Sequence, residues 1–161
     1  MNSADKITDL TTALERIAGW KAAGEKIVFT NGCFDILHLG HVDYLEKARQ
    51  LADRLVLGLN TDASIQRIKG ELRPVVPEYA RARVMAALWF VDVVIPFEEN
   101  TPIRLIEAVK PDILVKGDDY TFENIIGADF VISAGGKVQT IPLVKGYSTT
   151  QIITKIKQSY S

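Results

Sequence analysis

The sequence predicts an α/β fold in which an open parallel sheet of five strands carries helices on both faces. Two observations lead to this prediction. Five short aliphatic runs have the length of buried strands, and helical spacing of apolar residues appears between them. Strands that alternate with helices in this way form parallel sheets, because each helix returns the chain to the starting edge of the sheet.

The first half of the chain contains helices and two strands. Apolar residues recur at helical spacing over Ile7–Lys21, which we expect to pack on the outside of the sheet. The apolar run Ile27–Thr30 predicts a central strand, and a helix is expected from Gly40 to about Ala52. Leu55–Leu59 is the second predicted strand, and the short helical segment Ala63–Ile68 follows it.

Proline and glycine mark the boundaries of the next elements. Lys69–Pro77 contains one glycine and two prolines and is predicted to be a loop. Its last proline is well placed to open a helix over Glu78–Phe90, and Val91–Pro96 is the third strand. We expect Thr101 to cap a helix that begins at Pro102 and runs to about Val109.

The last third of the chain repeats the pattern. The fourth strand is predicted over Pro111–Lys116, and a turn follows at Gly117–Tyr120. Helical spacing over Ile125–Ala134 stops at a glycine pair, and Val138–Pro142 is the fifth strand. Ser148 is expected to cap a final helix from Thr149 to about Lys157.

Right-handed crossovers leave few topologies for such a chain, and we predict a Rossmann-like sheet with strand order 3-2-1-4-5. Ligands of open α/β sheets bind at the carboxyl ends of the strands, where the strand order reverses. Polar and glycine-containing segments follow four of the predicted strands, so we expect them to form one site: Asn31–His41, Asn60–Lys69, Lys116–Tyr120 and Lys145–Thr150.

Composition and length limit the classes of function. The 161 residues are predicted to form one domain, 1–161, with residues 1–25 as an N-terminal helix packed on it. The formal net charge of -1 favours neither nucleic acid nor an anionic membrane as a partner. No apolar run approaches the ~18 residues of a membrane span, no signal peptide is evident, and the single cysteine fits a reducing compartment. We therefore expect a cytoplasmic location.

The strongest functional signal is a pair of histidines after the first strand. His38 and His41 are the only histidines in the sequence, and their spacing puts both rings on one face of a first helical turn. Gly32 is expected to form the tight turn, and Gly40 to open the helix. A strand, a turn of small residues and a helix N-terminus together form a phosphate site, where imidazoles could donate hydrogen bonds to the phosphate oxygens.

Basic and hydroxyl residues extend this candidate site. Lys69, Arg73 and Arg81 are candidates for binding a substrate phosphate, although Arg81 could equally be a solvated helix residue. Lys116 ends a buried strand, so an anionic ligand or a neighbouring carboxylate is expected beside it. Three hydroxyl residues at the start of the last helix predict a second phosphate contact: Ser148, Thr149 and Thr150.

Two features remain open at this level. Asp118 and Asp119 either help to hold Mg²⁺ or sugar hydroxyls or simply form a turn. Trp89, Phe90 and Val91 are assigned to the core, with a homodimer surface as the alternative.

The motif Gly32-x-Phe34-Asp35-x-x-His38-x-Gly40-His41 resembles the His-x-Gly-His signature of the cytidylyltransferase-like nucleotidyltransferases. Further motifs make the chain similar to the heptose 1-phosphate adenylyltransferase branch, which resembles the C-terminal half of the bifunctional kinase/adenylyltransferase of lipopolysaccharide-core synthesis. These motifs are Lys69-Gly-x-x-Arg73-Pro74, Pro111-Asp-Ile-Leu-Val-Lys-Gly117 and Gly146-x-Ser-Thr-Thr150. The resemblance covers roughly residues 26–157.

The resemblance implies transfer of AMP from ATP to a sugar 1-phosphate, with release of pyrophosphate and with Mg²⁺ carried on the phosphates. It assigns catalytic roles to His38, His41, Lys69 and Lys116. Nucleotide binding falls to the residues of the first turn and of the last helix start: Thr30, Asn31, Gly32, Phe34, Gly40, Ser148, Thr149 and Thr150. Asp35 lies in the motif without an assigned role, and no protein metal ligand is assigned.

Two alternatives and one question of assembly stay open. The first alternative is cytidylyl transfer from CTP to glycerol 3-phosphate or a related alcohol phosphate, which would use the same phosphate contacts. The second is a nucleotide-binding module without catalysis. A homodimer is compatible with the resemblance.

Overall fold

The computed structural model describes residues 2–160 and contains a parallel sheet of five strands in the order β3-β2-β1-β4-β5. The strands are β1 (Ile27–Gly32), β2 (Arg54–Asn60), β3 (Val93–Phe97), β4 (Ile113–Gly117) and β5 (Lys137–Ile141). The observed fold class and strand order confirm the predicted α/β sheet with the order 3-2-1-4-5. The end residues 1 and 161 of the predicted domain lie outside the described residues.

Seven α-helices accompany these strands within residues 2–160. They are α1 (Leu10–Ala22), α2 (Leu39–Arg49), α3 (Asp62–Lys69), α4 (Glu78–Ala87), α5 (Ile103–Val109), α6 (Ala128–Ser133) and α7 (Thr149–Tyr160). Two short 3₁₀ helices occupy Ser3–Lys6 and Phe122–Asn124. None of the helices in this part of the chain is both long and apolar enough to cross a membrane.

The alternation of side chains along the strands produces two apolar layers, one on each face of the sheet. In β1, Val28 packs in the layer that contains Leu45 of α2 and Met85 of α4. The neighbouring Phe29 points the other way, into the layer that contains Ile17 of α1 and Ile106 of α5. The helices therefore lie on both faces of the sheet, as predicted.

Several element boundaries differ from the sequence prediction, among them the starts of the first and the fifth α-helix. The first α-helix starts at Leu10, because Asp9 accepts a 2.8 Å hydrogen bond from the Thr12 N–H and Ile7 instead pairs with Val94 of β3. Thr101 is not the N-cap of α5. That position falls to Pro102, which makes no side-chain capping bond.

The end of α4 corrects the assignment of Trp89 to the core. The helix stops at Ala87, since Leu88 adopts an extended conformation. Phe90 and Val91 then enter the apolar layer, but Trp89 is 74% exposed. The expectation of a buried aromatic holds for Phe90 and is wrong for Trp89.

The order of the strands places the ligand-binding edge. The chain leaves β1 towards β2 on one side, and β4 pairs with β1 on the other side. The strand order thus reverses at β1, and the carboxyl ends of β1 and β4 face a common crevice.

Candidate active site

A cavity of about 540 Å³ opens at the carboxyl edge of the sheet. Most of the predicted site residues line it: Asn31, Gly32, Phe34, His38, Gly40, His41, Lys69, Arg73, Lys116, Ser148, Thr149 and Thr150. These residues come from segments that are up to 119 positions apart in the sequence, from 31 to 150. The fold therefore brings the predicted segments to one place, and two predicted residues, Thr30 and Arg81, lie outside it.

The turn after β1 owes its shape to Phe34 and Gly32. Phe34 takes a left-handed conformation with φ of 45°, whereas Gly32 is the last residue of β1 and has no positive φ. A Cβ atom on Gly32 would lie 2.8 Å from the Phe34 ring. The prediction that Gly32 forms the turn is thus corrected. Phe34 forms the turn, and Gly32, which has no side chain, leaves space for the Phe34 ring.

The two histidine rings stack on each other at the start of α2. Their centroids are 3.7 Å apart and their planes are inclined by 25°. His38 is the N-cap residue of α2, and a Cβ atom on Gly40 would lie 3.0 Å from its Nδ1. The glycine between the histidines therefore lets the His38 ring fold over the helix start.

Both rings keep an unused polar atom. The Nδ1 atoms of His38 and His41 are buried and have no hydrogen-bond partner among residues 2–160. Burial without a partner is costly for a polar atom. Uncompensated burial of this kind is more typical of functional sites than of parts that only stabilise the fold.

The surroundings keep the two imidazoles uncharged. Burial lowers the pKa of His41 to about 4, with further lowering by His38 and Lys69 and an opposing effect of Asp35. Burial also lowers the pKa of His38. Near pH 7 each ring is therefore neutral and offers one N–H donor.

Lys116 projects from the end of β4 into the same cavity and is only 8% exposed. Its ammonium donates to the side-chain and backbone carbonyl oxygens of Asn31, at 2.6 and 3.1 Å. These hydrogen bonds go to an amide and not to a carboxylate, so the anionic ligand, the other expected partner, stays a prediction. Burial, opposed by Cys33 and Asp119, lowers the pKa of Lys116 to about 8, so the amine is predominantly charged near pH 7.

Asp35 fixes the loop that carries Arg73. Its side chain is 1% exposed and accepts from Arg73 Nε at 2.8 Å and from the N–H groups of Val75 and Val76. Burial alone would raise the pKa of Asp35, but these hydrogen bonds outweigh it and hold the pKa below its usual value. The side chain of Lys69, by contrast, is exposed, and its ammonium forms no hydrogen bond or ion pair with the described residues.

Arg81 and Thr30 are the two predicted site residues that the structure places elsewhere. Arg81 is 1% exposed and bonded to protein oxygens, so it cannot clamp a substrate phosphate as predicted. Its spacing from the buried Met85 puts it on the core face of α4. Thr30 is fully buried, and its hydroxyl bonds to Tyr44 and to the carbonyl of Val115. Strand alternation from Val28 would have assigned it to the core.

The last two segments contain the predicted helix cap and the two aspartates of the predicted turn. Ser148 caps α7 as predicted, because its Oγ accepts from the Gln151 N–H at 3.1 Å. Asp118 serves the turn by accepting from the Leu143 N–H at 3.1 Å. Asp119 instead lines the cavity, next to Tyr120.

Cys33, Tyr120 and Tyr147 lie in the predicted site segments but received no role of their own, whereas Tyr44 and Asn100 also line the cavity and lie outside those segments. Two of them lie beside Lys116. The Tyr120 ring centroid is 5.4 Å from Lys116 Nζ, and Cys33 is close enough to oppose the lowering of the Lys116 pKa. Aromatic and apolar residues that line a cavity form no recognisable sequence motif. Only their position after the end of a strand could have indicated that they belong to the site.

Comparisons with known proteins agree with this geometry. The family model described as Cytidylyltransferase-like matches residues 29–155. The bifunctional protein HldE of Magnetococcus marinus is 56% identical over 153 residues, which cover 95% of this chain and 31% of that protein. HldE of Geobacter metallireducens is 54% identical over 159 residues, covering 99% of this chain and 32% of that protein. The chain thus spans about a third of the length of these relatives.

Two solved structures share the architecture. The lipopolysaccharide core biosynthesis protein from Thermoplasma volcanium has a TM-score of 0.62 and 33% identity, covering 78% of this chain and 100% of that chain. Pantoate-beta-alanine ligase from Francisella tularensis has a TM-score of 0.59 and 16% identity, over 94% of this chain and 76% of that chain. The second likeness concerns the fold alone.

Proposed function

This chain belongs to the cytidylyltransferase-like family, and we propose that it is an adenylyltransferase that moves AMP from ATP onto heptose 1-phosphate. The observation that carries the proposal is the stacked, uncharged pair His38 and His41, whose buried Nδ1 atoms lack partners beside a cavity that Lys116 also lines. Such a constellation suits the phosphates of a nucleotide. The high identity to HldE supports a sugar phosphate as the acceptor.

In the proposed reaction, an oxygen of the sugar phosphate attacks the α-phosphorus of ATP. The new P–O bond forms as the bond to the β-phosphate breaks, and the electron pair leaves with pyrophosphate. The chain contributes positioning and charge stabilisation, without a covalent intermediate. His38 and His41 donate to the α- and β-phosphate oxygens, and Lys69 and Lys116 neutralise charge on the triphosphate and the acceptor.

The binding roles follow from where each residue lies. Asn31, Gly32, Phe34 and Gly40 line the nucleotide side of the cavity, and Thr149 and Thr150 offer hydroxyls to the outer phosphates or the base. The Ser148 oxygen already accepts the capping bond, so its hydroxyl acts as a donor. Arg73 contacts the acceptor only with the guanidinium nitrogens that Asp35 leaves free.

A divalent cation fits this site as a phosphate-bound ion. Residues 2–160 contain no group of three or more His, Cys, Asp or Glu that could hold a metal. Asp119 is a cavity carboxylate that accepts no hydrogen bond from this part of the chain, and Mg²⁺ commonly uses one or two carboxylates together with substrate phosphates. When bound, Mg²⁺ would neutralise charge on the triphosphate. We also propose a cytoplasmic location, where ATP and sugar phosphates are present.

The test is pyrophosphate release from ATP or CTP with a panel of sugar 1-phosphates and glycerol 3-phosphate. We expect the highest kcat/KM with ATP and heptose 1-phosphate. Faster turnover of CTP with glycerol 3-phosphate would replace the proposal by cytidylyl transfer. Tight nucleotide binding with no pyrophosphate from any acceptor would indicate a module without catalysis.

A further inference from the structure

Arg81 is buried in the first turns of α4, with 1% of its surface exposed. Its Nε donates to the carbonyl of Val76 at 3.0 Å, its Nη1 to the carbonyl of Cys33 at 2.6 Å, and its Nη2 to Asp62 Oδ1 at 2.8 Å. An arginine is rarely buried to this degree unless its donors are paired. Here each of the three guanidinium nitrogens donates one hydrogen bond to a protein oxygen.

The three acceptors of Arg81 belong to three segments that each contribute to the cavity. Cys33 lies in the turn between β1 and the histidine pair. Asp62 is the first residue of α3, whose last residue is Lys69. Val76 lies just before Pro77, near the end of the loop that contains Arg73. A single side chain outside the cavity therefore connects the nucleotide side to the segments that supply the cations.

Neighbouring contacts make these connections stiff. Asp62 Oδ2 accepts from the Glu78 N–H at 3.1 Å, and Glu78 Oε2 accepts in return from the Asp62 N–H at 3.3 Å. The starts of α3 and α4 thus cap each other. Val76 is held twice, through its carbonyl by Arg81 and through its N–H by Asp35 at 2.8 Å.

We propose that Arg81 is a positioning residue, which sets the separation between the histidine turn and the Lys69 and Arg73 segments without touching the substrates. The rate effects below rest on the proposed adenylyltransferase function. Misplacing a reacting group by about 1 Å costs on the order of a hundredfold in rate. The contribution of Arg81 to catalysis is therefore expected to be large although it does not line the cavity.

The test compares Arg81→Lys with a matched control, Arg49→Lys. A lysine ammonium keeps the charge but cannot reach three acceptors arranged for a fork. We expect kcat/KM for the acceptor to fall roughly 30- to 100-fold in Arg81→Lys. Arg49 is also partly buried, at 26% exposure, and bonds Asp92 and the carbonyl of Ala52 at the opposite edge of the sheet. Its replacement should lower the melting temperature and leave kcat and KM unchanged.

Asp62→Asn is a second variant that keeps the buried guanidinium in place. Asp62 is 38% exposed, so this exchange should be tolerated by the fold. It weakens only one of the three bonds of Arg81, and we expect a smaller loss of kcat/KM, about fivefold.

Amide hydrogen exchange of the ligand-free protein gives a readout that does not depend on catalysis. Arg81→Lys should speed exchange locally in residues 33–35, 62–64 and 73–76, whereas Arg49→Lys should do so near residues 49–55. If wild type and Arg49→Lys release no pyrophosphate, the proposed function fails and the exchange pattern alone decides the role of Arg81. Unchanged kcat and KM in folded Arg81→Lys, or exchange that rises uniformly along the chain, would overturn the proposal.

Discussion

The two ends of the five parallel strands differ in how completely their charged side chains are paired. At the amino end, Arg54 binds Glu25 through two hydrogen bonds and Asp92 through a third, and Arg49 binds the other Asp92 oxygen. At the carboxyl end, Lys69 has no ion-pair partner within residues 2–160. At the carboxyl end Arg73 and Arg81 are also paired, with Asp35 and Asp62, but Lys69 is left available beside the cavity.

The hydrogen bonding of polar groups also differs between the two ends. The carboxylates of Asp53, Asp92 and Asp112 accept hydrogen bonds at the strand starts, for example from the Leu55 N–H at 2.8 Å and the Ile27 N–H at 2.9 Å. At the other end, buried Nδ1 atoms of both histidines stay unpaired. Unpaired polar groups and a buried cation lower the stability of the fold. The carboxyl edge of the sheet is therefore less stable than it could be, and its polar groups remain available for binding.

The largest expected effect comes from His41→Ala, which tests the unpaired edge. Loss of a transition-state donor should reduce kcat by about a hundredfold or more. The melting temperature should not fall, because the removed ring has an unpaired buried atom. Pyrophosphate release and thermal unfolding measure the two effects, with the neighbouring, 50% exposed Leu39 replaced by alanine as the control. Near-normal kcat in a folded variant would remove His41 from the mechanism.

The second effect concerns Asp92→Ala at the paired edge. The side chain of Asp92 is 14% exposed, and its loss removes one acceptor each from Arg49 and Arg54 and the acceptor of the Leu55 N–H. We expect the free energy of unfolding to fall by about 2 kcal/mol or more, with kcat unchanged below the melting temperature. Asp92→Asn retains one acceptor and should lose less in a denaturant titration. A large loss of kcat would show that the two edges are coupled.

Lys116→Met exchanges the buried cation for an apolar side chain of similar length. We expect KM for ATP to rise about tenfold, since one charge-assisted contact to phosphate is lost. Stability should stay equal or increase, because the buried charge no longer has to be desolvated. A marked fall in the melting temperature with unchanged kinetics would instead assign Lys116 a structural role through Asn31.

The role of Lys116 can also be tested without a substitution, from the pH dependence of KM and of stability in the wild-type protein. Burial holds the pKa of Lys116 at about 8 in the folded chain, below the usual lysine value of 10.5. Binding charge is therefore lost as pH rises through about 8, and KM for ATP should increase several-fold by about pH 9. The unfolded chain binds more protons between these pKa values, so this residue makes stability rise with pH there. Both trends should disappear in Lys116→Met.

The smallest effect is expected for Lys26→Ala. The ion pair of Lys26 with Asp112 is 3.1 Å long, but the lysine side chain is 66% exposed. Exposed pairs contribute little, and we expect a loss below about 0.5 kcal/mol with no change in kcat. A loss comparable to that of Asp92→Ala would show that exposure does not rank the pairs at this edge.

The elements and most of the site could be predicted because they depend on local patterns. Strand and helix periodicity determine the α/β class, and the hydroxyl of Ser148 caps the helix that directly follows it. The His38 and His41 spacing likewise fixes two rings on one face of a helix start. Patterns of this kind involve neighbours within a few positions, so the sequence expresses them directly.

The tertiary structure alone decided which partners these residues have. Lys116 bonds Asn31, which is 85 positions away, and Asp35 holds a loop 38 to 41 positions away. Arg81 was expected to bind substrate, but each of its three guanidinium nitrogens donates to a protein acceptor, because the core face of α4 lies against the turn after β1. Local periodicity sets where a side chain points, whereas the packing of distant segments sets what it meets there, and only the folded chain brings those segments together.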